Sequence, residues 1–534
     1  MMRGMRHVKT SDSKKSLFAA ILLAMLAWES ASVQPARADA TQPAPAIAVL
    51  EPGPALDTIF AKWNRPNVPG CAVGVVREGS PPLIREYGSA DLEHDIPIRA
   101  DTIFEAGSVS KQFTAASILL LVQQGKLALT DDVRKYIPEL PDYGSRITID
   151  ELLSHTSGLR DWGEVEALAG WPRTSRVYTL ADVLAITARQ RSLNYPPGSA
   201  YSYTNSGYNL LAIIVERISG QTLAQFSRDH LFGPLGMSHT EWRDDFRRVV
   251  KGRAIAYSPR ESGYEQDMPF EDAYGNGGLL TTVGDLLRWN EALTKGEPGE
   301  FVTNGLETQA TLDNGRQIAY ARGLFVESRH GTREVAHSGS TAGYRAWLGR
   351  YPQAHLSIAL LCNAADANST ALAHAVADLF LPAQTSPAAV TLTADEMPAA
   401  ANRVRAGANI NPAVVNPLPR VVERASEGVA SPQLPDPQQL ARLAGRYSSD
   451  EALATWLIKV TDGLLTATAE DRRGLTLILR PAGPDTFAIV HPGVQGKLQF
   501  NRDGKGELTG FTMSNERVYA LTFHRSANPE YPNP

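Results

Sequence analysis

The sequence predicts a protein of mixed α and β structure, in which a large first domain is followed by a linker and a small antiparallel β domain. A chain of 534 residues is too long for one compact core. Strand-like and helix-like segments alternate over residues 55–381, whereas Pro, Ala, Val and Asn dominate residues 382–437 and hydrophobic periodicity fades there. Residues 438–527 hold short strand-like runs separated by turns, which is typical of a small barrel or sandwich.

Two apolar helices are predicted in the first domain, at residues 111–124 and 210–218. Each is followed by a glycine (Gly125 and Gly220), the usual residue just past a helix end. The first is apolar on nearly all faces, which places it in the centre of a domain. A buried strand is predicted at residues 69–76, and two consecutive strands joined by a turn are predicted at 346–351 and 356–361. In the last domain, strands are predicted at 456–460, 464–467, 475–479, 487–490, 497–500, 511–513 and 519–523.

The N-terminus has the order of a secretory signal peptide over residues 1–38. A basic segment precedes an apolar run at residues 17–28, and small residues follow up to a cleavage site near Ala38 or Ala40. Twelve apolar residues are too few to cross ~30 Å of hydrocarbon as a helix. We therefore expect a periplasmic or secreted protein with no stable membrane span after processing. An uncleaved membrane anchor is the alternative.

Composition and charge exclude several classes of protein. With 43% apolar and 20% charged residues, the chain is neither disordered nor a multi-span membrane protein. Its formal charge of −5 becomes −9 once residues 1–38 are removed, so no nucleic-acid partner is expected. Only Cys71 and Cys362 are present, which rules out a disulfide scaffold or a cysteine-rich zinc module. We find no motif for a metal or a cofactor and expect none.

The pattern Ser108-Val109-Ser110-Lys111 combines a nucleophile with a base at the start of the apolar helix. Ser108 and Lys111 are one helical turn apart and therefore share a face. Burial can lower the pKa of a lysine enough for it to accept a proton from serine. The pattern is weak alone, because Ser11 and Lys14 in the signal segment match it equally well.

Two further motifs follow in the chain, Tyr203-Thr204-Asn205 and His337-Ser338-Gly339. Each is common by itself, since a tyrosine is more often a packed aromatic than a proton shuttle. Their context distinguishes them: the first lies in a loop before a predicted helix, and His337 precedes two predicted strands.

Together these motifs make the sequence similar to the serine β-lactamase and penicillin-binding-protein superfamily, in its class C-like branch. The matching stretches are residues 104–114 (FEAGSVSKQFT), 152–159 (LLSHTSGL), 197–208 (PGSAYSYTNSGY) and 275–279 (GNGGL). The resemblance implies an α+β fold, an antiparallel sheet flanked by helices with an all-helical subdomain, over residues 55–381. The segment after the linker, beginning at Leu443, resembles the small lipocalin-like β-barrel appended to D-aminopeptidase-like members.

The resemblance also implies roles for individual residues. Ser108 would be acylated, and Lys111 and Tyr203 would share the proton transfers. The resemblance does not decide which of these two residues is the base. Asn205, His337 and Gly339 would line the substrate site. The backbone N–H groups of Ser108 and Ser340 would form the oxyanion hole. His155 would hold its loop.

The sequence departs from the family pattern at His337, because β-lactamases and peptidoglycan-trimming members mostly carry lysine at this position. A histidine is largely neutral near pH 7. We therefore expect an exported serine hydrolase acting on small amides, peptides or esters, like D-aminopeptidases, esterases and DD-peptidases. Its substrate is a small molecule or peptide, with the cell wall as one source. The alternatives are a class C-like β-lactamase and a penicillin-binding sensor without turnover.

Three questions remain open at the level of sequence. The resemblance would place Cys71 and Cys362 on neighbouring strands, where a disulfide and two buried thiols are equally compatible with the pattern. The oligomeric state and the role of the last domain are not determined. We expect the sides of the active-site cleft to be formed by loops at residues 160–180, 240–272 and 296–335.

Overall fold

The computed structural model describes residues 53–381, except 79 and 174, and residues 436–526, except 473. The predicted signal peptide and nearly all of the predicted linker lie outside these described residues. Within them, no helix is both long enough and apolar enough to cross a bilayer.

A six-stranded antiparallel sheet forms the centre of the first domain. Its strands are β1 (Cys71–Arg77), β2 (Leu83–Tyr87), β10 (Phe325–Arg329), β11 (Thr332–Thr341), β12 (Tyr344–Tyr351) and β13 (Leu356–Cys362). They lie in the order β10-β11-β12-β13-β1-β2. Smaller two- and three-stranded pieces are formed by β3 (Ser89–Asp91), β4 (Ile96–Pro97), β5 (Phe104–Glu105), β6 (Glu241–Trp242), β7 (Tyr257–Pro259), β8 (Tyr264–Gln266) and β9 (Leu279–Thr281).

Helices cover both faces of this sheet. The helices of the first domain are α1 (Gly53–Ile59), α2 (Lys111–Gln123), α3 (Ile149–Leu153), α4 (Trp162–Leu168), α5 (Leu180–Arg189), α6 (Asn205–Ser219), α7 (Leu223–Ser227), α8 (Val283–Lys295), α9 (Glu300–Leu306) and α10 (Ser369–Asp378). Alternate residues of β1 and β13 point to opposite faces, as the period of a strand requires. Val73 and Leu360 pack with α1 and α10, whereas Ala72 and Leu361 pack in the cluster that contains α2, α6 and α8.

Cys71 and Cys362 form a disulfide between β1 and β13. They are paired in the sheet register, with Cα atoms 4.0 Å apart and both side chains fully buried. Of the two arrangements that the sequence left open, the structure has the covalent one.

The second domain is a closed antiparallel barrel of eight strands, preceded by α11 (Pro437–Leu443). The strands are β14 (Gly445–Ser449), β15 (Ala454–Thr461), β16 (Leu464–Ala469), β17 (Thr476–Gly483), β18 (Thr486–Val490), β19 (Gly496–Arg502), β20 (Leu508–Ser514) and β21 (Leu521–Arg525). Buried aromatic side chains, among them Tyr447, Trp456 and Phe511, fill its interior. The sequence predicted seven of these strands and missed β14, which is short and half polar.

The barrel packs directly on the helical part of the first domain. Trp162 and Leu168 of α4 belong to the same apolar cluster as the barrel interior. The indole N–H of Trp456 donates to the carbonyl of Leu168 at 3.1 Å. The mixed α and β fold with an appended antiparallel barrel is therefore confirmed, and the two domains share an interface.

Candidate active site

Ser108 lies in a single 3₁₀ turn, Gly107–Ser110, that leads directly into α2. Gly107 has a φ of +51°, and a Cβ there would come within 2.6 Å of the backbone nitrogen of Ser340. Only glycine combines that backbone conformation with so close an approach. The Ser110 hydroxyl donates to the carbonyl of Gly107 at 2.6 Å and fixes the turn from inside. The nucleophile candidate is thus held rigidly at the start of a buried helix.

Lys111 is fully buried beneath Ser108, and its amine contacts three oxygen atoms. Its Nζ lies 3.1 Å from the Oγ of Ser108, 3.0 Å from the Oδ1 of Asn205 and 2.6 Å from the carbonyl oxygen of Asn276. Burial, assisted by the positive charges of Arg173 and Arg517, holds the pKa of Lys111 well below its usual value. In its neutral form, an amine in this position donates two hydrogens, to Asn205 and Asn276, and its lone pair faces the hydroxyl of Ser108.

Tyr203 lies on the other side of the same amine, with the Lys111 Nζ 4.8 Å from its ring centroid. Its hydroxyl is shielded from solvent and has no hydrogen-bond partner in the described part of the chain. Burial raises the pKa of Tyr203, an effect that Ser108 and Arg517 partly oppose. Tyr203 is therefore a phenol rather than a phenolate at neutral pH.

Two buried residues, His155 and Asp161, hold the backbone segment that carries Tyr203 and Asn205. The Nδ1 of His155 accepts the backbone N–H of Thr204 at 3.3 Å, and its carbonyl accepts that of Ser202. The carboxylate of Asp161, which caps α4, also accepts the backbone N–H of Asn205 at 2.6 Å. Burial holds the pKa of His155 far below its usual value, so this histidine is a neutral support for the loop.

Strand β11 closes the site opposite α2. A Cβ on Gly339 would lie 2.0 Å from the carbonyl oxygen of Ala106 and 3.1 Å from the backbone nitrogen of Ser108. The main chains at Ser108 and Ser340 therefore lie against each other. The sequence placed His337 before the strands, but it lies inside β11. There β12 alone pairs with residues 337–341, which look too polar for a strand, and His337 lies opposite Leu348.

His337 is 3% exposed and its two ring nitrogens have different partners. The Nδ1 lies 2.6 Å from the carbonyl oxygen of Ser338 and must carry the hydrogen, so the Nε2 accepts from the hydroxyl of Tyr320 at 3.2 Å. Burial, with the charge of Lys111, lowers the pKa of His337 to about 3. The position therefore supplies no fixed positive charge.

A cleft of about 830 Å³ brings the predicted residues together, and Ser108, Tyr203, Asn205, His337, Gly339 and Ser340 all line it. Lys111 lies just beneath its floor. All three segments expected to be loops contain regular structure: α4 in 160–180, β6 to β8 in 240–272, and α9 and β10 in 296–335. Arg173 of the first and Phe325 of the third line the cleft, whereas residues 240–272 supply no lining residue. Within the described residues, no cluster of three or more His, Cys, Asp or Glu side chains is placed to hold a metal ion.

Sequence reasoning missed four residues at this site: Asn276, Tyr320, Arg173 and Arg517. Asn276 lies in the recognised stretch at 275–279, but its main-chain carbonyl makes the contact with Lys111, and a carbonyl leaves no signal in residue type. Arg517 comes from the barrel, between β20 and β21, and lines the cleft with its guanidinium 5.2 Å from the ring centroid of Tyr203. Only the docking of the two domains brings it there.

Comparison with known proteins agrees with this geometry. A family model described as beta-lactamase matches residues 55–381, which is most of the chain. The chain belongs to the beta-lactamase family. The beta-lactamase domain is therefore the part that carries Ser108, Lys111 and Tyr203, and the chain is a serine hydrolase of the acyl-transfer type.

Relatives of this beta-lactamase family member include both peptidases and penicillin-binding proteins. A D-aminopeptidase of Cereibacter sphaeroides is 26% identical over 83% of this chain and 93% of its own. Penicillin-binding protein 4* of Bacillus subtilis is 30% identical over 52% of this chain and 64% of its own. The octameric penicillin-binding protein homologue of Pyrococcus abyssi, at 21% identity, has the same fold over 88% of this chain and 98% of its own, with a TM-score of 0.53.

Proposed function

We propose that the protein hydrolyses small amides, peptides or esters through an acyl intermediate on Ser108. The observation that supports this most strongly is the contact, at 3.1 Å, between the Ser108 hydroxyl and the buried amine of Lys111, whose pKa burial holds well below its usual value. A serine hydroxyl becomes an effective nucleophile when a base is held within hydrogen-bond reach.

The two pKa shifts support one assignment of the proton transfers, which the sequence left undecided. The pKa of Lys111 is lowered and that of Tyr203 is raised, in both cases mainly by burial. A pair of groups shifted in opposite directions divides into a base and an acid. Lys111 takes the proton of Ser108 as Oγ attacks the carbonyl carbon, and Tyr203 donates a proton to the leaving nitrogen or oxygen.

The remaining steps use the backbone of β11 and a water molecule. The tetrahedral oxyanion binds between the N–H groups of Ser108 and Ser340 and collapses as the leaving group departs. Lys111 then returns its proton to Tyr203, and a water attacks the ester carbonyl of the acyl-enzyme to release the acid and restore Ser108. Asn205 holds the Lys111 amine on one side and the substrate on the other.

The chain's similarity to D-aminopeptidases extends across both domains and supports an amide or peptide substrate, for which cell-wall peptides are one source. The neutral His337 argues against efficient β-lactam hydrolysis, since no cation at that position would meet a carboxylate. The test is a panel of nitrocefin, p-nitrophenyl butyrate, D-Ala-p-nitroanilide and a D-Ala-D-Ala peptide. We expect steady turnover of an ester or amide that is lost in Ser108→Ala. Rapid turnover of nitrocefin would make the protein a β-lactamase, and a single burst without turnover would make it a sensor.

We also propose that the protein is exported and that its signal peptide is removed near Ala38 or Ala40. The basic and apolar order of the first residues supports export, and so does a disulfide, which persists in oxidising compartments. N-terminal sequencing of protein from the periplasm or medium should give Asp39 or Thr41 as the first residue. Recovery of full-length protein from the membrane fraction would support the anchor instead.

A further inference from the structure

Residues 515–520 form a loop at the end of the barrel, and this loop places Arg517 in the active-site cleft. The side-chain oxygen of Asn515 accepts the backbone N–H groups of Arg517 and Val518 at 3.0 and 2.9 Å. The carbonyl of Arg517 accepts from the side chain of Asn194 at 2.9 Å and from the backbone of Asp161 at 3.2 Å. The Arg517 backbone is thus fixed to the hydrolase domain whatever its side chain does.

A second anchor holds the far side of this loop. Arg160 is 2% exposed, and its guanidinium donates to the carbonyls of Tyr519 and Ala520 at 2.9 and 3.3 Å. It also pairs with Glu451 of the barrel at 3.1 Å. The position of the loop over the cleft is therefore a property of the domain interface and not of an exposed tip.

The cleft has an excess of positive charge. Three arginines line it (Arg173, Arg345 and Arg517), and no Asp or Glu lines it among the residues that the structure describes. Arg173 is paired with Glu271, and Arg345 donates to the carbonyls of Ala342 and Tyr344. Within the described residues, the Arg517 guanidinium makes neither an ion pair nor a hydrogen bond. It lies over the face of Tyr203, and its charge partly offsets the rise that burial causes in the pKa of Glu164.

We propose that Arg517 binds a carboxylate of the substrate, so that the protein selects acyl donors that carry a free carboxylate over neutral or ammonium-bearing ones. This inference rests on the proposed hydrolase function and narrows its substrate class. A planar guanidinium with free N–H groups matches a carboxylate with two parallel hydrogen bonds. The neutral His337 cannot make that contact, and a free ammonium group would find no counter-charge in the described lining.

Two matched pairs of esters test the proposal, each pair differing only in a charged carboxylate against its neutral amide. One pair places the difference on the acyl side, as the p-nitrophenyl monoester of glutaric acid against that of its monoamide. The other places it on the leaving group, as 4-carboxyphenyl against 4-carbamoylphenyl butyrate. The measured quantity is the ratio of kcat/KM within a pair at one pH, because any effect on the Lys111 base cancels in that ratio.

In wild type we expect at least one pair to favour the carboxylate, and Arg517→Gln to reduce that preference about 10- to 100-fold, the usual value of a charge-assisted hydrogen bond. Arg517→Lys should retain part of it. Arg446→Gln is the matched control, since it removes the same charge from the barrel at a residue paired with Glu470 away from the cleft. It should leave the ratio unchanged.

The proposal is overturned if both ratios are the same in wild type and Arg517→Gln. A separate outcome addresses the proposed function. If a fluorophosphonate labels Ser108 in all variants, the hydrolase stands and only the role of Arg517 fails. If folded wild type is not labelled and turns over none of the four esters, the function itself fails and this inference with it.

Discussion

Replacing Gly339 by alanine should block the oxyanion hole without unfolding the protein. A Cβ at this position would meet the carbonyl oxygen of Ala106 at 2.0 Å, whereas carbon–oxygen contacts normally lie at ~3.3–3.6 Å. β11 must therefore move away from the Ser108 turn by about 1 Å or more. Since an oxyanion donor works only within ~2.7–3.1 Å, the shift removes the Ser340 N–H from its place. Loss of one such donor lowers kcat by roughly 100- to 1000-fold.

The assay is kcat for p-nitrophenyl butyrate, the ester of the substrate panel, together with the melting temperature. Gly284→Ala is the matched control, because its nearest contact for a new Cβ is an ordinary 3.8 Å to the Thr282 hydroxyl, within α8. The control should keep full activity and a melting temperature at or above that of wild type, since alanine favours a helix. A folded Gly339→Ala protein with kcat within about threefold of wild type would refute the reasoning.

Three further predictions concern the base, the buried histidine and the disulfide. Lys111→Arg places a permanently charged group beneath Ser108 and should lower kcat/KM by about 100-fold or more, measured with the same ester; an active variant would exclude Lys111 as the base. Burial lowers the pKa of His337 to about 3 in the folded protein, whereas the unfolded chain titrates at ~6.5. As the pH falls between these two values only the unfolded state gains a proton, so the free energy of unfolding decreases. Between pH 7 and 5 the free energy of unfolding, measured with urea, should fall by about 2 kcal/mol through this effect. His337→Gln should show a fall smaller by that amount, and an unchanged fall would contradict the lowered pKa of His337. Replacing Cys71 and Cys362 together by alanine should lower the free energy of unfolding by about 2–4 kcal/mol, and a reductant should do the same to wild type but not to the variant.

The parts of the site that sequence reasoning found are those with local signals. Ser108 and Lys111 share a helical face, and Asn205 begins α6 after a capping Thr204, so spacing and context were sufficient. The barrel was equally readable, because alternating apolar residues and Gly-containing turns mark most of its strands. Two elements with weaker patterns, β11 around His337 and β14, are strands because neighbouring strands pair with them.

The parts that were missed depend on contacts between distant segments. Asn276 contacts Lys111 through its main chain, and the hydroxyl of the buried Tyr320 donates to His337. Arg517 belongs to another domain, and nothing in residues 515–520 indicates that they face a serine. The direction of the pKa shifts is likewise a product of burial, which the sequence could state only as a possibility for Lys111.

Covalent trapping of Ser108 tests the central claim most directly. Folded protein is treated with a fluorophosphonate or a labelled penicillin, and the adduct is located by peptide mass spectrometry. The account predicts modification of Ser108 in wild type and in Ser338→Ala, an exposed serine of the same cleft, and none in Ser108→Ala. Absence of an adduct from folded wild type with both reagents, or equal labelling of Ser108→Ala, would contradict it.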